Sequence, residues 1–315
     1  MEKNYVVGVD VGGQTTKIGV VNTKGEILAQ TAIRSDNSKE FAPYADELAA
    51  AIKQVIVTAD VEGQVRGVGV GAPNGNYYKG TIEFAPNLAW AKGVLPFAEE
   101  LQKKLGGIPV TLTNDANAAA MGEMAYGVAR GMKNFIMITL GTGVGSGIII
   151  NGEMVYGHDG FAGELGHTCA VRGGRRCGCG REGCLEAYCS AIGAAKTAVE
   201  WLEMTDEPSL LRGMDHITSK DIYDAAKQGD ALAIRVFEYT GHLLGRSLSD
   251  FVAFSAPEAI VLFGGLARSR EFLEKPINDG LNDNVLPLWR NKVKILFSAL
   301  KESDAAILGA SALAW

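Results

Sequence analysis

One pattern constrains the fold more than any other, and it occurs twice. Tyr5-Val6-Val7-Gly8-Val9-Asp10 alternates toward a strand, Gly12-Gly13 makes a turn, and residues 16–21 read as a second strand. Asn22-Thr23-Lys24-Gly25 then turns into a third strand over 26–33, giving an antiparallel meander. At Phe135 the theme returns, with a strand over 135–140, a glycine-rich turn over 141–147 and a strand over 148–150. Asn151-Gly152 follows as a strong hairpin turn. No Pro- or Ser-rich linker separates the two copies, and 315 residues exceed what one small core needs. Two packed α/β domains with a cleft between them are therefore expected.

The intervening segments complete that class. Leu48, Ile52, Val55 and Ile56 define an amphipathic helix over 44–59. Strands over 65–71 and 109–113 alternate with helices over 95–105 and 115–128. Beyond the second motif come helices over 185–202, 219–227 and 231–251, and a buried strand over 259–263 before Gly264-Gly265. A strand over 293–297 and a helix over 304–313 close the chain.

Composition narrows the function. The 40 glycines sit beside short apolar runs, which implies tight turns where backbone approaches something closely. A net charge of −6 with no basic stretch argues against nucleic acid as a partner. The N-terminal residues do not read as a leader. The uncharged run 135–151 carries four glycines and is shorter than the ~20 residues of a membrane helix. A cytoplasmic, reducing setting with no membrane partner is the expectation. All five cysteines fall within 169–189, and in such a setting that clustering points to metal rather than disulfides.

Two phosphate-loop readings fail for the second glycine turn. It lacks the Gly-Lys-Ser/Thr ending of a Walker loop, and a strand rather than a helix follows it. Gly141, Thr142 and Gly143 remain as bare N–H groups able to line an anion site, or as a plain hairpin. Asp10, Gly12, Gly13, Thr15, Thr16 and Lys17 have the same character, with a carboxylate able to reach hydrated Mg²⁺. One such turn in each half favours a nucleotide phosphate held across the cleft. Gly264 and Gly265, after a buried strand, fit the close approach of a base or ribose.

Cys177, Cys179 and Cys184 offer three thiolates within eight residues, and His167 supplies a fourth donor for a closed tetrahedral zinc site. Cys169 and Cys189 are left as small buried residues. Glu164 and Glu186 flank this segment and suit vicinal sugar hydroxyls, although a glutamate beginning a helix also serves the helix dipole. Asn114-Asp115 is either an N-cap pair or a site where a helix start favours an ionised base. Asn87 is by default a turn residue.

Together these residues resemble the ROK family of bacterial sugar kinases and repressors, nearest its glucokinase-type members. The resemblance runs over essentially the whole chain. It is carried by Asp10-Val11-Gly12-Gly13, Ala85-Pro86-Asn87-Leu88, residues 113–118 and residues 140–145. Glu164-Leu165-Gly166-His167 and residues 177–186 are the most specific part. The resemblance implies an actin-like, ribonuclease H-like two-domain fold with ATP and sugar in the cleft. The expected domains are 1–113 with 302–315, and 114–301, the last helix packing back on the first domain. Asp115 would deprotonate the sugar's terminal hydroxyl, while Asn87, Asn114, Glu164, His167 and Glu186 hold ring hydroxyls. His167 would use its other ring nitrogen for structural Zn²⁺, and Mg²⁺ would arrive with ATP.

The expectation is ATP-dependent phosphorylation of a hexose, glucose first, by a protein whose relatives are commonly homodimers. An N-acetylmannosamine or N-acetylglucosamine kinase shares the same pocket residues. A repressor would carry a helix-turn-helix before the sugar domain, and here the first strand begins at Tyr5. A non-catalytic sensor would not need Asp115. Two departures stand out: Gln14 where the family usually has threonine, and Pro73-Asn74-Gly75 where Pro-Gly is more common.

Overall fold

The computed structural model describes residues 3–315. Strands β1 (Tyr5–Val11), β2 (Thr15–Asn22) and β3 (Ile27–Arg34) form an antiparallel meander. Helix α1 (Phe41–Thr58) leads to β4 (Val65–Gly71), which pairs in parallel with β1. The short strands β5 (Gly75–Asn76), β6 (Thr81–Glu83) and β7 (Val94–Leu95) make a small antiparallel sheet of their own. Helix α2 (Phe97–Lys104) then feeds β8 (Val110–Thr113), parallel to β4.

Helix α3 (Asp115–Tyr126) crosses to a second sheet that repeats the first. There β9 (Phe135–Leu140), β10 (Val144–Ile150) and β11 (Glu153–Met154) form the meander. Helices α4 (Glu186–Cys189), α5 (Ala191–Met204), α6 (Ser219–Lys227) and α7 (Ala231–Ser255) precede β12 (Ala259–Phe263), which is parallel to β9. Helix α8 (Arg270–Asn284), β13 (Lys294–Phe297) and α9 (Glu302–Ser311) follow. The sheet orders are β3-β2-β1-β4-β8 and β11-β10-β9-β12-β13. The duplicated sequence pattern is thus a duplicated topology.

Each sheet has its own apolar core. Tyr44, Leu48, Ile52 and Val55 lie one helical turn apart and bury the inner face of α1 against Val7, Val9 and Val70. Leu185, Phe237, Leu244 and Ile277 pack on Ile138 and Leu262 in the second half. Strands β4 and β12 are buried on both faces, which is why they read as near-continuous apolar runs.

Helices α3 and α9 fill the space between the sheets, and glycines let them in. A Cβ on Gly8 would stand 2.0 Å from the Ile307 carbonyl oxygen, and one on Gly69 1.9 Å from that of Ala310. The last helix therefore lies on the first sheet with backbone against backbone. Gly145 and Gly147 do the same for α3, where a Cβ would come within 3.0 Å of Ala116 Cβ and 2.7 Å of Ala120 Cβ.

That packing corrects the sequence reading of 141–147. Only Gly141, Thr142 and Gly143 form the turn, and Gly145 and Gly147 belong to β10. The helix expected over 185–202 is broken at Ser190, whose hydroxyl accepts the Gly193 N–H and caps α5. Helix α8 escaped the sequence reading because Pro276 interrupts a largely polar stretch; it packs against Gly241 of α7.

Candidate active site and metal centre

Asp10 and Lys17 are register partners on β1 and β2, at the cleft end of the first sheet. The turn between them is closed by Gly12 N–H donating to Thr15 O at 3.1 Å. Gly13 lies against the Asn87 backbone, where a Cβ would meet the Asn87 carbonyl oxygen at 2.8 Å. The first glycine turn and the Ala85–Leu88 turn are therefore one wall. Thr16 is a correction to the phosphate reading. It is fully buried, and its hydroxyl is taken by Ser35 at 2.8 Å and Tyr44 at 2.7 Å. Thr15, half-buried at the start of β2, keeps the candidate hydroxyl.

Asn114 caps α3, its side-chain oxygen accepting the Asn117 N–H at 2.6 Å. Asp115 is the first helical residue and accepts the Ala116 N–H at 2.8 Å. Its carboxylate is open to the cleft but sits on the cleft floor with protein on most sides, and that surrounding pushes its pKa up. Asp10 is pushed up to about 6, by burial first and then by the charge of Asp115, with Lys17 opposing. Glu164 is raised by burial, helped by Asp115 and Glu186 and opposed by His167. Four carboxylates thus converge on one space from both halves of the molecule.

The second wall grows from the cysteine segment. His167 ends a 3₁₀ turn over Leu165–His167. Its Nδ1 lies 3.7 Å from Cys177 Sγ, and its Nε2 lies 4.0 Å from Glu164 Oε2 on the cleft side. Cys179 and Cys184 sulfurs are 3.7 Å apart, and the four donor atoms all lie within 4.8 Å of one another. Tetrahedral zinc with Zn–S bonds of about 2.3 Å implies S···S edges of roughly 3.8 Å. The donor set fits. Cys177 N–H to Arg181 O at 2.8 Å and Gly180 N–H to Cys177 O at 3.0 Å fold the segment into a knuckle. Cys189 is buried as expected, whereas Cys169 is exposed and stands outside the group.

Glu186 joins this knuckle to the second glycine turn. Its Oε2 accepts the Val144 N–H at 3.0 Å, and its Oε1 is 3.6 Å from Cys177 Sγ. A Cβ at Gly143 would collide with it at 2.4 Å. The turn in turn abuts the start of α5, because Ala191 N–H donates to Gly141 O at 2.8 Å. Thr142, Arg176, Ser190 and Lys196 line a cavity of about 230 Å³ there. A cavity of about 510 Å³ continues along α5 past Ile192 and Lys196 to Ile217 and Thr218. Gly264, at φ +105°, packs on the Leu140 backbone, and Gly265 faces open space.

Several contributors were missed from sequence. Arg175 donates to Glu200, Thr197 and the Ala187 and Gly193 carbonyls, and lies over the Tyr188 ring at 4.5 Å. It ties the knuckle to α5; its place two residues before Cys177 was the available signal. Ser146 holds the other edge, donating to Gly163 O and accepting the Leu165 N–H. Asn74 adopts φ 52° and donates to the Glu83 and Phe84 carbonyls, so the departure from Pro-Gly is a left-handed turn residue that ties β6.

The ROK family model matches residues 6–315. This chain belongs to the ROK family. Its relatives include the glucokinase of Halalkalibacterium halodurans, 35% identical over 98% of this chain and 94% of that one. The glucokinase of Thermotoga maritima is 32% identical, over 99% and 98% respectively. Among solved structures, a ROK family glucokinase from Streptomyces griseus in complex with glucose and AMPPNP is 33% identical, with a TM-score of 0.78 over 98% of both chains. The fold is accordingly the actin-like α/β class of the ROK sugar kinases.

Proposed function

We propose that this protein transfers the γ-phosphoryl group of ATP to the 6-hydroxyl of glucose. The observation that carries the reading is Asp115. It starts a helix on the cleft floor, its proton affinity is raised by its surroundings, and it lies between the Asp10 turn and the Glu164–His167 wall. A carboxylate so placed is suited to orient a hydroxyl and take its proton as the bond to phosphorus forms. Asn87, Asn114, Glu164 and His167 Nε2 would hold the ring hydroxyls, with Glu186 offering the oxygen not bonded to Val144.

The phosphates belong, in this reading, between Gly12-Gly13 with Thr15 and Lys17 on one side and Gly141–Gly143 on the other. The start of α5, with Lys196 and Arg176 beside it, adds favourable potential for negative charge. The cavity of about 510 Å³ along α5 has the apolar lining and size for the nucleoside, while Gly264 lines a different cavity of about 300 Å³ with Leu262 and Ala267. Asp10 would hold the Mg²⁺ that comes with ATP, and that ion would offset phosphate charge. Closure of the cleft would exclude water, so that sugar rather than water is phosphorylated.

His167, Cys177, Cys179 and Cys184 would hold zinc, which supplies a structural cross-link. Nδ1, the ring nitrogen on the Cys177 side, would be the metal-binding one, which would fix the tautomer and aim of the same imidazole whose Nε2 lies toward Glu164. The moving parts are residues 1–113 with 302–315 against 114–301, supported by the chain crossings before α3 and before α9. Among the described residues no helix is long and apolar enough to cross a membrane, and thiolate ligands suit a reducing compartment. A cytoplasmic homodimer feeding sugar into glycolysis is the setting proposed, and sedimentation reads the dimer. ADP release measured over glucose, mannose, fructose and the N-acetylhexosamines tests the reaction. Preference for an amino sugar removes the glucose assignment alone; no turnover on any of them removes the kinase.

A further inference from the structure

The segment between β11 and Glu164 forms a strap. Ala162 N–H donates to Tyr156 O at 3.1 Å, closing the loop on itself, and Gly157, Gly160 and Gly163 all carry left-handed φ angles. Ser146 pins the far end to β10 through Gly163 O and the Leu165 N–H. The near end is bound to the other half of the molecule. Asn76, fully buried beside the small sheet, donates to Asp159 O at 2.8 Å and accepts the Tyr78 and Lys79 N–H groups. The Tyr78 hydroxyl donates to Gly157 O at 2.9 Å. The rings of Tyr77 and Tyr156 stack at 4.0 Å with planes 5° apart, and Tyr78 meets both edge-on. Finally, Gly75, which immediately precedes Asn76, lies against Thr113, where a Cβ would stand 2.4 Å from the Thr113 carbonyl oxygen; the Thr113 side chain accepts from Asn117, and Thr113 immediately precedes Asn114-Asp115.

Two walls of the acceptor pocket are thereby joined outside the pocket. Glu164 and His167 follow the strap directly, while Thr113 and Asn117 bracket Asp115. A three-glycine strap held only at Ser146 would sample many positions, because glycine restricts the backbone least. The clasp removes that freedom before any sugar binds, which lowers the ordering cost of binding.

We propose that Tyr156, held by its stack on Tyr77, is a positioning residue for the acceptor sugar. It fixes the strap that carries Glu164 against the wall that carries Asp115. The proposal rests on the reading of this cleft as a sugar kinase site. It concerns the sugar alone, because none of these residues touches the glycine turns or α5.

The test compares Tyr77→Ala, Tyr156→Ala and Tyr156→Phe with wild type for KM of glucose, KM of ATP and kcat, and for hydrogen exchange of residues 156–165 without ligand. A stacked aromatic pair is worth enough to change KM for glucose by up to about 10-fold on loss of either ring. The KM for ATP should move less than about twofold and kcat should largely hold, since bound sugar can draw the strap back. Tyr156→Phe keeps the stack and should recover most of the loss. Both alanine variants should lose exchange protection in the strap alone. An unchanged glucose KM with unchanged strap protection overturns the proposal, as does an equal rise in both KM values. If wild type neither binds nor phosphorylates any sugar, the kinase reading has failed and the positioning role for sugar falls with it. The exchange data then still report separately on whether the clasp orders the strap.

Discussion

Replacing Asp115 with Asn should remove turnover and yet make the ligand-free protein more stable at pH 8. Asp10 is displaced from 3.8 to about 6, with burial the larger cause and Asp115 the next. At roughly 1.4 kcal/mol per pH unit, that displacement is about 3 kcal/mol of unfavourable charging in the folded state. The sign follows from the direction. Folded Asp10 holds its proton more tightly than unfolded Asp10, so its contribution to stability is whole below about pH 4 and is lost as pH rises through about 6. Asp115 is displaced in the same direction and adds to the loss. Asparagine keeps the size and the acceptor for the Ala116 N–H, but carries no charge. Removing the secondary cause of the Asp10 shift should return on the order of 1 kcal/mol at pH 8, and progressively less toward pH 4. In a chain of this length that is roughly 2 °C in melting temperature. Thermal unfolding of both proteins across that range reads it, alongside ADP release, which should fall about a thousandfold with loss of the base. A variant that melts at or below the wild-type temperature at pH 8 would refute the reasoning, because the two carboxylates would then not be opposing each other.

Other outcomes follow from the same structure. With Asp10 as the proposed Mg²⁺ ligand, which acts ionised, kcat/KM for ATP should decline below about pH 6 while glucose binding without nucleotide declines less; this is read from pH profiles of each. His167→Ala should abolish stoichiometric zinc and weaken glucose binding more than ATP binding, by metal analysis and calorimetry, since the proposed zinc and sugar sites share this imidazole, between Cys177 and Glu164. Gly69→Ala should cost more than about 3 kcal/mol or prevent folding, because the added Cβ meets helix backbone rather than a side chain that could move. Denaturant unfolding of that variant measures the loss.

Much of this was legible in the sequence for physical reasons that operate locally. The two meanders are set by alternation and by turn residues; Asn151 and Gly152 take the left-handed angles that their hairpin requires. Strands 65–71 and 259–263 were found because they are buried on both faces. The grouping of His167 with Cys177, Cys179 and Cys184 was legible because all four lie within eighteen residues of one another. What escaped depends on partners distant in sequence. Gly145 and Gly147 looked like turn residues because nothing local reveals that α3 presses on them. Thr16 looked available until Ser35 and Tyr44 were seen to occupy its hydroxyl. The contact of Tyr156 with Tyr77 spans 79 positions and both halves, so no window along the chain contains it.

The central claim is tested most directly by incubating the zinc-replete protein with Mg-ATP and glucose and assaying glucose 6-phosphate through its specific dehydrogenase, beside Asp115→Asn. The wild type should yield one glucose 6-phosphate per ADP, and the variant should bind glucose without forming product. ADP without phosphorylated sugar, or product undiminished in the variant, would contradict it.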